Sequence, residues 1–120
     1  PALAHLAGAN LNFCPNVNKV VGNIDNTLGK VLEGIEWVDF VLIDANHRYQ
    51  PTLDYFNAIA PKIHKESIVV IGDIHWSKEM KQAWEEIKDM PSVSSTIDFF
   101  DCGVLFFNNY GNKENYILAL

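Results

Sequence analysis

Two nearly continuous apolar runs constrain the fold of this chain more than any other feature of its sequence. They occupy residues 38–43 and 67–71. Strands that are covered on both faces in a parallel sheet typically read as apolar runs of this kind. Two parallel strands need a crossover connection between them, usually a helix. Leu53, Phe56 and Ala60 lie between the runs at the spacing of one helical face, so the sequence predicts a β–α–β unit.

The same alternation of strand and helix extends on both sides of this unit. Upstream, we predict the end of a helix at Gly8, a strand at residues 17–21, and an amphipathic helix along the apolar stripe at residues 28–35. Downstream, Ser77 is a favourable N-cap for a helix that stops at Pro91. Strands and helices are therefore expected to alternate through most of the chain.

Beyond Pro91 the pattern changes to strands alone. We predict strands at residues 96–100, 103–107 and 116–120, joined by turn-like stretches. Strands that follow one another without helices favour antiparallel pairing, and an antiparallel edge on a parallel sheet is common in α/β proteins. The sequence therefore predicts an α/β fold whose sheet is mostly parallel.

Length, charge and cysteine content limit the classes of protein that this chain can represent. Its 120 residues, 48% of them hydrophobic, suffice for one core and one domain. Nine Lys and Arg against fifteen Asp and Glu give a net charge of −6, which disfavours nucleic acid as a partner because phosphate backbones bind basic surfaces. No apolar stretch approaches the roughly 20 residues that span a bilayer, so we expect no membrane partner and a cytoplasmic location. Cys14 and Cys102 lack the spacing of a disulfide framework or a zinc ribbon.

Polar side chains directly follow both apolar runs. Asp44 and His47 come after the first run, and Asp73 and His75 come after the second. The carboxyl ends of parallel strands lie at one edge of a sheet, where ligands bind in open α/β folds, so we expect these four side chains to converge. An unpaired charge is costly in the protein interior, which places them at an accessible rim.

Two kinds of chemistry suit this set of side chains. Two carboxylates and two imidazoles can hold a divalent metal ion, and a histidine can instead act as a general base. Structural alternatives stand beside both: Asp44 can cap its own loop, and His75 can be packed between Ile74 and Trp76. Trp76 itself is either a core residue or a surface on which a flat ligand stacks. His47 lies in a short polar loop with little to pack against, and it is the preferred candidate for the base.

The motifs at these strand ends are similar to those of a known enzyme family. VDFVLIDANHRYQPTLDYF, IVVIGDIHWSKEMKQAWEEIK and TIDFFDCGVLFF together resemble the C-terminal part of class I S-adenosylmethionine-dependent methyltransferases. The similarity is to a bacterial branch with Asp-x-x-His after the fourth strand and Asp-x-x-Trp-Ser after the fifth. It implies a Rossmann-like three-layer sandwich with a mostly parallel sheet and an antiparallel C-terminal edge. It also implies transfer of a methyl group from S-adenosylmethionine.

The resemblance assigns roles to single residues. Gly22 and Asn23 follow the strand whose end lies near the adenine of the donor in this family, so they are candidate cofactor-binding residues. Asp44 would lie near both the methyl donor and the acceptor. His47 falls close to the position of a catalytic lysine in metal-dependent relatives. The resemblance therefore implies catalytic roles for His47 and Asp44.

In the same metal-dependent relatives, a divalent cation orients the acceptor hydroxyl. Its ligands would correspond to Asp44 and Asp73 in this chain, with His75 as a third candidate. Ile74 stands where those relatives carry an Asn, and Gly72 stands where the bacterial branch often has a second Asp. A divalent metal is compatible with this sequence but is not required by it.

One part of the family pattern is absent from this sequence. The family binds its donor through an acidic-x-Gly-x-Gly turn after the first strand and an acidic residue after the second, and neither occurs here. We therefore expect residues 1–120 to be a partial domain that lacks the N-terminal strands and binds S-adenosylmethionine weakly or not at all. An open sheet edge favours pairing with another chain, so a homo-oligomer is compatible with the sequence.

Two other function classes fit parts of the sequence. GDIH and ANH are similar to motifs of metallophosphoesterases, although in that class the Asp-x-His element precedes the Asn-His element. A non-catalytic α/β module that binds a protein through its sheet edge is the other class. For a methyltransferase, the negative net charge favours a small-molecule or sugar hydroxyl as acceptor over a nucleic acid.

Overall fold

The structure is a computed structural model that describes residues 2–108 and 111–118. Its helices are α1 (Ala2–Leu11), α2 (Ile24–Glu33), α3 (Tyr49–Ile59) and α4 (Lys78–Asp89), with one 3-10 turn (Ala60–Lys62) after α3. Its strands are β1 (Val38–Ile43), β2 (Ile63–Gly72), β3 (Ser95–Asp98), β4 (Cys102–Phe106) and β5 (Glu114–Ile117). The order of elements confirms the predicted α/β class.

The five strands form one mixed sheet in the order β1-β2-β4-β3-β5. β1 pairs with β2 in parallel and β3 pairs with β5 in parallel, whereas β4 is antiparallel to both β2 and β3. Four strands therefore share one direction, and β4 alone runs the opposite way. The sheet is mostly parallel with an antiparallel strand from the C-terminal part, as predicted, but β4 lies inside the sheet and β5 forms its edge.

Local sequence signals explain where the helices begin. The Ser77 hydroxyl accepts a hydrogen bond from the Met80 backbone N–H at 3.1 Å, which caps α4 as predicted. The Asn23 side chain accepts from the Asp25 N–H at 3.0 Å and caps α2 in the same way. At the start of α3 there is no such cap, and the Tyr49 N–H instead donates to the Glu79 carboxylate at 3.1 Å. That last bond ties the first turn of α3 to α4.

The hydrophobic core lies on one face of the sheet, under helices α2 to α4. Val69 and Ile71 of β2 alternate with half-buried neighbours, and both are almost completely buried. Phe56 of α3 and Trp84 of α4 cover this face and are equally buried. Gly103 of β4 lies directly against Trp84, since a Cβ at this position would come within 2.4 Å of the Trp84 ring. Helix and sheet therefore pack closely at this point.

The opposite face of the sheet is apolar and largely uncovered. Phe40 and Leu42 of β1 are 64% and 57% exposed. Their register partners on β2 are Ile68 and Val70, which are half-buried. Helix α1 has no buried residue. Within the described ranges, the helices that contribute to the core therefore cover one face of the sheet. The expected three-layer arrangement would have helices on both faces.

Some predicted elements differ from the structure. Residues 17–21 form no strand and are exposed, because no neighbouring strand supplies hydrogen-bond partners for them among the described residues. Gly8 lies inside α1 and does not end it. The predicted last strand is shorter, at Glu114–Ile117, and residues 119 and 120 of that prediction lie outside the described residues.

Two expectations from composition can be compared with the described residues. Both Cys14 and Cys102 are free thiols. No helix in residues 2–108 or 111–118 combines the length and apolar character that crossing a membrane requires.

Candidate functional site

The site lies where β1 and β2 end. Asp44 is the first residue after β1, and Asp73 is the first residue after β2. The parallel register aligns Ile43 with Ile71, so the two carboxylates emerge at the same edge of the sheet. The predicted convergence of the two strand ends is present in the structure.

His47 completes a cluster with the two aspartates. Its Nε2 atom lies 3.1 Å from Asp44 Oδ1 and 3.3 Å from Asp73 Oδ2. One ligand atom from each of the three residues lies within 4.8 Å of the others. All three side chains are partly exposed, so the cluster is accessible to solvent and to small molecules.

The backbone around the cluster adopts an unusual conformation. Four non-glycine residues of the described ranges have positive φ angles: Asn46 (61°), His47 (40°), Asp73 (56°) and Phe100 (74°). A positive φ is uncommon for any residue with a side chain, although Asn, Asp and His adopt it more often than a bulky residue such as Phe. All four follow the carboxyl ends of β1, β2 or β3, which run in the same direction. Backbone strain is therefore concentrated at one edge of the sheet, as is frequent at functional sites.

Gly72 leaves the space that Asp44 occupies. A Cβ at position 72 would lie 2.7 Å from Asp44 Oδ1, closer than van der Waals contact allows. The last residue of β2 therefore has no side chain at the point where the carboxylate from β1 passes over it. A larger residue at position 72 would displace the Asp44 carboxylate from the cluster.

A hydrogen-bond chain connects the loop of the cluster to two helices. The Tyr55 hydroxyl of α3 donates to Asp25 Oδ1 of α2 at 2.7 Å and also contacts the Asn46 side-chain amide. Burial raises the pKa of the Tyr55 hydroxyl, and the hydrogen bond to Asp25 raises this pKa further. Tyr55 therefore stays protonated at neutral pH and can donate to Asp25 while holding Asn46 next to His47.

The two predicted cofactor-binding residues, Gly22 and Asn23, lie just before α2. Asn23 caps this helix, and the Asp25–Tyr55–Asn46 chain links the first turn of α2 to the loop after β1. A cavity of about 290 Å³ opens between α2 and β1. Its lining residues are Ile24, Leu28, Val41, Leu42, Ile43, Asp44, Ala45, Tyr55 and Ile59. The cavity is mostly apolar and has the carboxylate of Asp44 in its wall.

His75 is not a member of this cluster, and its contacts are with other residues. Its Nε2 atom is 2.8 Å from Asp98 Oδ2 at the end of β3, and its ring stacks on Phe100. The structure thus brings His47 together with Asp44 and Asp73. The sequence had predicted His75 as the third candidate ligand of this cluster. Trp76 is 75% exposed, so the alternative that it is a core residue is wrong.

A comparison with protein families agrees with this geometry. A family model described as a methyltransferase domain matches residues 3–74, which is more than half of the 120 residues and includes Asp44, His47 and Asp73. The chain belongs to this methyltransferase domain family. No curated protein and no solved structure matches it. The family match favours a methyltransferase over the metallophosphoesterase and the interaction module.

The donor atoms of the methyltransferase cluster fit a divalent cation. Two carboxylate oxygens and one imidazole nitrogen form a mixed set that suits Mg²⁺ or Mn²⁺ through its oxygens and Zn²⁺ or Fe²⁺ through its nitrogen. Asp44, His47 and Asp73 would hold such an ion. A bound cation would supply Lewis-acid polarisation of an acceptor oxygen.

Sequence reasoning missed three residues near this edge. Asp98 is the last residue of β3, which runs in the same direction as β1 and β2, so it lies at the same edge of the sheet. Because β3 begins with Ser95 and Thr96, no apolar run marks this strand end in the sequence. Asp25 and Tyr55 gave no such signal either, because the two residues lie on different helices and are 30 positions apart in sequence. Contacts of this kind follow from tertiary packing alone.

Proposed function

We propose that this domain takes part in S-adenosylmethionine-dependent transfer of a methyl group to a hydroxyl of a small molecule or sugar. The convergence of Asp44, His47 and Asp73 at the carboxyl edge carries this proposal, together with membership of the methyltransferase domain family. The net charge of −6 supports a small acceptor and not a nucleic acid.

His47 is the proposed general base. Its Nε2–H donates to the Asp44 carboxylate at 3.1 Å and lies 3.3 Å from Asp73 Oδ2, so the neutral ring carries its lone pair on Nδ1. In the proposed step, the acceptor oxygen forms a bond to the methyl carbon, the carbon–sulfur bond breaks with its electrons going to sulfur, and Nδ1 takes the hydroxyl proton. Asp44 and Asp73 orient the ring and stabilise the positive charge that it gains. S-adenosylmethionine supplies the methyl group for this step.

The cavity between α2 and β1 is the proposed contact surface for the adenosyl part of the donor. Its apolar walls suit a flat heterocycle, and Asp44 and Tyr55 add polar groups to its lining. The glycine-rich turn that the family uses does not occur in this sequence, so this surface alone would bind the donor weakly. Weak binding of these 120 residues therefore stays a prediction.

The donor surface can be tested by NMR, which detects weak binding. We expect S-adenosylhomocysteine, added to the isotopically labelled chain, to shift the amide signals of residues 22–25 and 44–47. Asp54→Ala is a suitable control that should leave these shifts unchanged, because Asp54 lines a second cavity beside α2 and not the proposed donor surface. Shifts confined to other parts of the sheet, or the absence of any shift, would contradict the proposed donor surface.

The role of His47 can be tested in methyl transfer with donor in excess and a panel of phenols and sugars as acceptors. Replacing His47 by Gln should lower the rate roughly 100-fold or more, the usual contribution of a general base. His64→Gln is the matched control, because His64 also pairs with an aspartate, Asp39, at 2.8 Å but lies at the start of β2. An unchanged rate for His47→Gln would exclude His47 as the base.

A metal at the cluster would use His47 differently. One nitrogen cannot both donate a proton to the aspartates and ligate a cation, so the two roles of Nε2 exclude each other at any moment. Paramagnetic Mn²⁺ separates them without any activity measurement. If the cluster binds the ion, Mn²⁺ should selectively broaden the NMR signals around Asp44 and Asp73, and Asp44→Asn should abolish the effect. Broadening that spreads evenly over the acidic surface would contradict a metal site here.

A further inference from the structure

A second group of residues at the same sheet edge forms a pocket that the Asp44–His47–Asp73 cluster does not use. The pocket has a volume of about 450 Å³. It is lined by His75, Asp98, Phe99, Phe100, Asp101, Ile117 and Leu118. Its walls are mainly apolar and aromatic, and its polar groups come from one histidine and two aspartates. This composition is typical of small-molecule sites.

The polar floor of the pocket is a fixed pair of side chains. Asp98 is buried, with 8% of its surface exposed, and both of its carboxylate oxygens are engaged. Oδ2 contacts His75 Nε2 at 2.8 Å, and Oδ1 accepts the Phe100 backbone N–H at 2.8 Å. The carboxylate therefore keeps the proton of His75 on Nε2 and leaves a lone pair on Nδ1. Among the described residues, the hydrogen bond of the His75 ring is made by Nε2, and Nδ1 has no hydrogen-bond partner.

The apolar part of the pocket is preformed and exposed. The ring of Phe100 stacks on the imidazole of His75, with 5.1 Å between centroids and 20° between planes. Phe100 holds this position with a φ of 74°, a strained value for a residue with a side chain. Ile117 and Leu118 form a wall beside these rings, and both are exposed in spite of their apolar side chains. A flat apolar ligand would cover surfaces that water now contacts.

The charges of the pocket restrict the ligand further. The two oxygens of Asp98 are already paired, so this carboxylate is not an open counter-ion for a cation. The exposed carboxylate of Asp101 on the rim repels anions. The remaining unused polar atom of the floor, His75 Nδ1, accepts a hydrogen bond. The pocket therefore fits an uncharged molecule with a flat apolar body and one hydrogen-bond donor.

We propose that the pocket between His75 and Leu118 binds a planar, uncharged hydroxyl compound such as a phenol, with the hydroxyl donating to His75 Nδ1. That this compound is the methyl acceptor rests on the proposed function. The pocket adjoins the cluster, because Asp73 is two residues before His75 and its backbone N–H donates to the Asp101 carbonyl at 2.6 Å. His75 is thereby a residue that selects the acceptor, and a phenol is favoured over a sugar.

The test measures binding in the absence of any methyl donor, so its outcome does not depend on the proposed function. Two probes are compared by NMR titration of the labelled chain: 2-naphthol, and 2-methoxynaphthalene, which has the same rings but no hydroxyl proton. We expect 2-naphthol to shift the Phe100 amide and the His75 imidazole signals. We expect the ether to bind roughly three- to tenfold more weakly, the value of one neutral hydrogen bond.

Two variants complete the design. His75→Phe keeps a stacked ring but removes the acceptor, so both probes should bind equally; His64→Phe is the matched control and should leave the preference unchanged. Ile117→Asp alters an exposed residue of the edge strand and should weaken both probes without affecting the fold. Equal affinity of the two probes for the unmodified chain would overturn the proposal. So would signal shifts confined to the open face around Phe40 and Leu42, or no shift up to the solubility limit of the probes.

Discussion

At the scale of single residues, Gly103 shows how closely the core is packed. Its position on β4 leaves no room for a methyl group, because the buried ring of Trp84 already fills that space. The ring cannot move away easily, since it is held between α4 and the sheet. Adding atoms to a packed core forces side chains from their preferred rotamers.

We therefore expect Gly103→Ala to lower the free energy of unfolding by about 1–3 kcal/mol. Gly29→Ala in the exposed middle of α2 is the control, because a Cβ there meets nothing within 4 Å. That change should raise stability by roughly 0.5–1 kcal/mol, as expected for Gly replaced by Ala inside a helix. Urea denaturation of both variants measures the two effects. Equal effects of the same sign would mean that Trp84 is not packed against Gly103.

The sequence identified Asp44 and Asp73 because both follow apolar runs directly, and a carboxylate at that point can be stabilised only at the rim. It could not decide between His47 and His75 as the third member of the cluster. That choice depends on the backbone: His47 has a φ of 40° and points its ring to the two aspartates, whereas His75 reaches Asp98 on a strand 23 residues later. Neither feature is visible in the spacing of residues.

At the scale of secondary-structure elements, Tyr55 joins α2, α3 and the loop after β1. Its hydroxyl contacts Asp25 of α2 and Asn46 of the loop. Removing the hydroxyl leaves the Asp25 carboxylate and the Asn46 side-chain amide without this hydrogen-bond partner in a partly buried environment. Tyr55→Phe should therefore cost about 1–2 kcal/mol of stability at neutral pH.

The cost of Tyr55→Phe should also depend on pH. The pKa of Tyr55 is raised above its ordinary value of 10.0, so the folded state holds its proton more firmly than the unfolded state does. This contribution is complete below pH 10.0 and is lost as the pH rises above it, because the unfolded chain then gains by ionising. Denaturation at about pH 8 and about pH 11 should therefore show a smaller difference between the two proteins at the higher pH. Hydrogen bonds to Glu86 and Glu114 also raise the pKa values of Tyr49 and Tyr116, but their effect on stability is the same in both proteins and cancels in the difference. An unchanged difference would mean that Tyr55 is not held by Asp25.

Elements whose own sequence marks their start and end were predicted well, whereas elements that need a neighbouring strand were not. The helix from Ser77 to Pro91 has a cap, an apolar stripe and a stop, and α4 follows them closely. Residues 17–21 have the composition of a strand, but a strand exists only if a neighbour accepts its hydrogen bonds. This segment therefore has no regular secondary structure here and is exposed in spite of its valines.

At the scale of the whole molecule, the sheet has an open face and an open edge. β1 is hydrogen-bonded to β2 on one side only, within the described residues. Its outward residues Phe40 and Leu42 are exposed on the uncovered face. Unpaired strand edges and exposed apolar patches are both prone to association.

We expect the chain to self-associate as its concentration rises, with β1 in the contact. Phe40→Lys should shift the equilibrium to the monomer, since lysine on an edge strand opposes pairing. Phe13→Lys is the control, because Phe13 is even more exposed but lies outside the sheet. Sedimentation velocity over a range of concentrations measures the effect. If both variants behave alike, β1 is not the contact surface.

The topology of the sheet followed from the order of elements in the sequence. Helix α3 between β1 and β2 is the usual crossover connection of a parallel pair, and the helix-free segment after Pro91 contains β4, the strand that runs the other way. The position of β4 inside the sheet could not be deduced, because strand order depends on which faces pack together. The pocket next to Phe100 depends on that order, since it forms only where β3 and β5 lie side by side.

The contact between Gly72 and Asp44 couples the residue at position 72 to the conformation of the side chain at position 44. A methyl group at position 72 would lie 2.7 Å from Asp44 Oδ1, so any side chain there would displace the carboxylate. An acidic side chain would in addition place a second negative charge beside it. A descendant that gains an acid at position 72 is therefore expected to hold Asp44 in a different rotamer and to present a different arrangement of carboxylates at this edge.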